Sequence, residues 1–62
     1  MTQNMIHFYL DNHPHSNTEL FQYFELLYGS CDKTLQHTLR GIQQNLKNQG
    51  IIKNIARGIW TA

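Results

Sequence analysis

The chain has 62 residues and a mass of 7.3 kDa, which leaves room for one small domain and none for a large catalytic one. A hydrophobic content of 40% suits a compact core and is too high for disorder, while a single cysteine excludes an internal disulfide framework and any multi-cysteine metal site. The net charge of +1 hides an ordering: Asp11, Glu19, Glu25 and Asp32 all precede Lys33, whereas Lys33, Arg40, Lys47, Lys53 and Arg57 all follow Asp32.

This ordering predicts an acidic end and a basic end, with the basic end facing a polyanion. Amides carry much of the remaining polarity, since six Asn and six Gln outnumber the nine charged side chains. No apolar run approaches the roughly 20 residues of a membrane span. Met1-Thr2-Gln3-Asn4 lacks the basic start and apolar stretch of a signal peptide. The expectation is a soluble cytoplasmic protein, or a domain of a larger one, with residues 1–62 forming a single unit.

Residues 2–12 read as a first helix with Ile6, Tyr9, Leu10 and Met5 on its apolar stripe. Asn12-His13-Pro14 ends it, because the residue before a proline avoids the helical region. Ser16-Asn17-Thr18-Glu19 has the S-x-x-E spacing of a capping box. A second helix follows, with Leu20, Phe21, Phe24, Leu27 and Tyr28 on one face and Gly29 as its stop. Asp32 is a good N-cap for a third helix. Its seam is Leu35, Leu39, Ile42 and Leu46, and a rotation of about 100° per residue turns Lys33, Gln36, His37, Arg40, Gln44 and Lys47 to the other side. Gly41 marks either a close helix crossing or a break. Gln49-Gly50 ends the helix, and Ile51-Ile52-Lys53 and Gly58-Ile59-Trp60-Thr61 read as two strands joined through residues 54–57. A two-stranded ribbon is marginal alone, so Ile51, Ile55, Ile59 and Trp60 are expected to pack it on the helices.

The order helix, helix, turn, helix, hairpin resembles a winged helix-turn-helix domain. The residues that carry the likeness are Glu19-Leu20, the turn Gly29-Ser30-Cys31-Asp32, and Leu46-Lys47-Asn48-Gln49-Gly50-Ile51-Ile52. The last stretch looks like the L-x-x-x-G-[IL]-[IL] exit from a recognition helix into a first wing strand. Arg57-Gly58-Ile59-Trp60 resembles the R-G-x-[WY] opening of the last one. Residues 42–47 together with 57–60 are also similar to the C-terminal winged helix of Dam-replacing restriction endonucleases, whose nuclease signature P-D…(D/E)-x-K is not found in this chain. The fold implied is α+β and mostly helical: three helices and a C-terminal two-stranded β-hairpin wing.

The resemblance implies double-stranded DNA as partner, with the third helix in the major groove. Lys33, Gln36, His37, Arg40 and Gln44 are then the base-contact candidates: cations donate to guanine and amides pair with adenine. Lys47, Lys53, Asn54 and Arg57 are candidates for the backbone, as are Asn17 and Thr18 through backbone N–H groups at a helix start. Five basic side chains neutralise at most about five phosphates, so a homodimer or a larger host protein would strengthen binding. The setting implied is transcriptional or phage/plasmid regulation, or restriction-associated recognition. No cofactor, small-molecule substrate or catalysis is expected. The glycines are too scattered for a phosphate loop, no carboxylate pair serves acid–base work, and Cys31 lacks a catalytic base. Two rivals remain: a protein–protein adaptor using the acidic, aromatic first half, and a metal-responsive switch at His13-Pro14-His15.

Overall fold

The computed structural model describes all residues 1–62. Chain order is helix α1 (Thr2–Phe8) continued by a 3-10 turn (Tyr9–Asp11), strand β1 (His15–Ser16), helices α2 (Asn17–Tyr28) and α3 (Lys33–Asn48), and strands β2 (Lys53–Ala56) and β3 (Ile59–Thr61). The fold is α+β and mostly helical. Its sheet has three antiparallel strands in the order β1-β3-β2, one more than the expected hairpin. No helix is long and apolar enough to cross a membrane.

Local chemistry places the helix ends. The first helical stretch stops where Asn12 takes a left-handed conformation (φ 59°), which its short amide side chain tolerates, and Asp11 Oδ1 accepts the His13 backbone N–H at 3.0 Å. The capping box forms as expected: Glu19 N–H donates to Ser16 Oγ at 3.1 Å, and Ser16 N–H donates to Glu19 Oε1 at 3.5 Å. Gly29 closes α2 at φ 85°. Asp32 Oδ1 accepts the Leu35 N–H at 2.9 Å and starts α3. At the far end, Ile51 N–H donates to the Leu46 carbonyl at 2.9 Å, which folds the chain back as it leaves the helix.

The core consists of Met5, Tyr9, Leu20, Phe24, Leu39, Leu46 and Ile52, with Ile6, Phe8, Phe21, Tyr23, Cys31, Leu35, Ile42 and Trp60 packed around it. Full burial of each leucine is worth roughly 1.5–3 kcal/mol. Two expected stripes shift. Met5 and Tyr9 are buried as expected but Leu10 is exposed, because the 3-10 turn after Phe8 changes the angular spacing. Leu27 and Tyr28 are also exposed. Just before β2, Ile52 is buried and Ile51 faces solvent, and within β2 Ile55 faces solvent as well.

Residues 54–56 belong to β2, not to the connection. Asn54 pairs with Trp60 and Ala56 with Ile59, with Ile55 bulged out between them. The turn shrinks to Arg57-Gly58, where Gly58 adopts φ 73°. β1 completes the sheet through His15 opposite Trp60 and Ser16 opposite Ile59.

One buried polar side chain joins the helices. Gln43 is 1% exposed, and its Nε2 donates to Tyr9 Oη at 3.1 Å and to Asn17 Oδ1 at 2.9 Å. No buried side-chain nitrogen or oxygen lacks a partner. Replacing Gln43 by Leu keeps volume and strands two polar groups, so stability is expected to fall by about 1–3 kcal/mol in urea denaturation, with partial recovery on adding Tyr9→Phe. Gly41 has the opposite prospect. α3 runs through it unbroken, and an added Cβ meets nothing within 4 Å, so neither a close crossing nor a break is present. Gly41→Ala should stabilise by up to about 1 kcal/mol, read as a rise in Tm.

Candidate nucleic-acid interface

At 1.5 Å per residue the 16 residues of α3 span about 24 Å, most of the molecule's 28 Å greatest extent. Leu35, Leu39, Ile42 and Leu46 lie toward the core, so Lys33, His37, Arg40, Gln44 and Lys47 are all exposed on the other side. Lys47 sits in the last turn, where the helix dipole favours a cation. Arg40 has its guanidinium carbon 5.9 Å from the centre of the half-buried Phe21 ring of α2. That cation–π contact, worth about 0.5–1 kcal/mol at an exposed site, narrows the range of the side chain. Gln44 Nε2 donates to Asn48 Oδ1 at 3.2 Å along the same exposed surface.

Besides Gln44, three of the expected contact residues make hydrogen bonds within the protein. Gln36 is half-buried, and its Nε2 donates to the Cys31 carbonyl at 3.1 Å, bracing the turn before α3. Asn17 does not offer its backbone to a phosphate: its N–H donates to the Gly58 carbonyl at 2.9 Å, and its side chain accepts from Gln43. Asn54 Nδ2 donates to the Ala56 carbonyl at 2.6 Å and the Ile59 carbonyl at 2.9 Å, holding the bulge closed. Thr18 is exposed beside Asn17, Lys53 is exposed opposite Thr61, and Arg57 is exposed in the turn.

Asn17 links these pieces. It is the first residue of α2, it touches the middle of α3 through Gln43, and it touches the hairpin turn through Gly58, one residue from Arg57. Sequence reading missed Gln43, although Leu39 four residues before and Leu46 three after place position 43 on the inward side. It also missed β1, whose two residues leave no periodicity to read.

The electrostatics are uneven. The only two ion pairs in the molecule both belong to His15, with Asp11 and with Glu19. None of the five Lys and Arg side chains has a carboxylate partner. Burial pushes the Cys31 thiol up, with Asp32 and Glu25 adding to it, the opposite of what a nucleophilic thiolate needs. The surface forms no enclosed pocket.

Comparison with protein-family models, with curated proteins and with solved structures finds no match for this chain.

Asn54→Ala removes both donors that close the bulge and leaves the charge unchanged. A loss of about 0.5–1.5 kcal/mol is expected, with faster amide exchange in β2 and β3 than in α3.

Proposed function

We propose that this chain is a winged helix-turn-helix domain that binds double-stranded DNA, with α3 entering the major groove and the β2–β3 hairpin lying along the backbone. The carrying observation is the set of five exposed Lys and Arg side chains without a carboxylate partner, three on α3 and two on the hairpin. Unpaired cations, all within the second half of the chain, create a field that a polyanion neutralises. The element order, helix, short strand, helix, turn, helix, hairpin, supports the same reading.

Roles divide by position. Lys33, His37, Arg40 and Gln44 are the readers of base edges in this proposal, and Lys47, Lys53 and Arg57 hold phosphates. Gln36 and Asn54 become supports of the turn and the wing, and Asn17 the joint between them. The domain acts by recognition, without catalysis, as a small regulator or as the DNA-reading module of a larger assembly.

One observation favours the adaptor reading instead. Leu26 is 87% exposed, next to the exposed Leu27 and Tyr28, at the C-terminal end of α2. This is aliphatic surface more than the expected aromatic patch, because Phe8 and Tyr23 pack with their ring centres 5.0 Å apart and Tyr28 stacks on Phe24. Titration of a labelled mixed-sequence duplex decides between the two. Under the DNA proposal affinity falls between about 50 and 200 mM salt, by roughly 40-fold for three phosphate contacts and up to about 500-fold if all five cations count. Lys47→Ala lowers the slope of log K against log salt by about one, and Arg40→Ala weakens binding with no loss of fold. Absence of binding at low salt, or binding indifferent to salt, overturns the proposal and favours the adaptor.

A further inference from the structure

His15 stands at a junction that the DNA-binding reading does not use. Its Nδ1 lies 2.7 Å from Glu19 Oε2, and its Nε2 lies 2.8 Å from Asp11 Oδ2 and 3.0 Å from Asp11 Oδ1. Asp11 belongs to the 3-10 turn after α1, Glu19 to the first turn of α2, and His15 to β1 between them. The ring is 18% exposed and packs with its centre 4.7 Å from that of Phe8 and 6.2 Å from that of Tyr9.

The geometry constrains the proton count. An ionised carboxylate only accepts hydrogen bonds, so each ring nitrogen needs its own proton to bond the oxygen facing it. A neutral imidazole carries one proton. Its other nitrogen then turns a lone pair toward a carboxylate at hydrogen-bond distance, and one of the two contacts must break.

We propose that Asp11, His15 and Glu19 form a proton-operated latch: the protonated ring ties β1 to the turn after α1 and to α2, and loss of the proton loosens β1 and, through it, the hairpin. β1 pairs with β3 at two positions only, His15 with Trp60 and Ser16 with Ile59, so a small change in its anchorage is felt along the sheet. The groups facing His15 are known from each side. The 3-10 turn contributes Asp11 and the Tyr9 ring, α2 contributes Glu19, and α1 contributes Phe8. The β3 residue opposite is the non-titrating Trp60, and no Lys or Arg pairs with either carboxylate. His13 acts on Asp11 through its backbone N–H and its charge.

The direction agrees. The hydrogen bond to Glu19, then the contact with Asp11, holds the His15 ring above its ordinary 6.5. Asp11 is held below its usual range, first by the His13 backbone N–H and then by His15, and Glu19 first by His15 and then by the Ser16 backbone N–H. A raised histidine stabilises the fold fully below about 6.5 and loses that contribution as pH climbs through its folded value. Lowered carboxylates stabilise above their ordinary values and lose it as pH falls through their folded ones. The latch is therefore firmest between the ordinary carboxylate range and about pH 6.5, and opens with rising pH.

The test is a Tm profile from pH 5.5 to 8.5 for the natural chain, His15→Gln and Glu19→Gln, with His15 ring shifts followed by NMR. Expected are a Tm that falls with pH in the natural chain, a flatter profile in His15→Gln, and a His15 midpoint in Glu19→Gln moved down toward 6.5. Amides of β1 and β3, corrected for intrinsic exchange, should open faster at high pH than those of α3. His7, His13 and His37 remain in both variants, so their contributions subtract. Parallel profiles in the natural chain and His15→Gln, or a natural His15 midpoint at or below 6.5, overturn the latch. Should His15→Gln not fold, the midpoint in the natural chain and in Glu19→Gln decides alone. None of these readouts uses DNA, so failure here is distinct from failure of the proposed function.

Discussion

The buried amide of Gln43 is the contact on which the placement of α3 depends. A seam of leucine and isoleucine holds a helix against a core, yet it tolerates some rotation about the helix axis, because dispersion contacts are individually weak and non-directional. A primary amide does not tolerate it. Gln43 Nε2 makes two contacts, a buried one to Tyr9 after α1 and a partly buried one to Asn17 at the start of α2. Turning α3 by even one residue's worth, about 100°, breaks them and leaves the buried Tyr9 hydroxyl without its partner. With Gln43 directed inward, Lys33, His37, Arg40, Gln44 and Lys47 lie outward as a consequence.

Charge order has two different causes. Three of the four acids have local reasons to be where they are, Glu25 being the exception. Glu19 and Asp32 cap helix starts, where the dipole favours negative charge, and Asp11 and Glu19 hold His15. Of the cations, only Lys47 at a helix end and Arg40 over Phe21 have a comparable internal account. Lys33 stands at the first position of α3, where the dipole disfavours it, and Lys53 and Arg57 stand on an exposed ribbon. Cations placed without internal benefit argue for an external partner more strongly than the ordering of nine charges does.

Legibility followed the range of the interaction. The capping box, the Asp32 cap, the Gly29 stop and the α3 seam were readable because each is settled within a few residues of chain. Features set by distant contacts were not. β1 exists because β3 is available to pair with it, which nothing near His15 announces. Ile52 rather than Ile51 turns inward because of how the chain folds back from Leu46. The exposed cations of the candidate interface were readable by helical arithmetic. The internal bonds of Gln36, Asn17 and Asn54 were not readable for a shared reason: an amide bonds equally well to a base, a phosphate or the protein's own groups, and composition does not say which.

The hairpin shows how small size shapes what the molecule can do. All four residues of β2 are exposed, so this strand adds almost nothing to the core. Its anchorage comes from neighbours: Ile52 just before it, Thr61 buried in β3, the Asn54 brace, and the Asn17 N–H bond to the Gly58 carbonyl. Successive side chains of a strand point to opposite faces, and in β2 every side chain from Lys53 to Ala56 is exposed, so neither face is buried. Polar contacts therefore do the work that apolar area does elsewhere in the fold. They hold in place a ribbon that buries little apolar area of its own, the kind of element that opens locally at low cost.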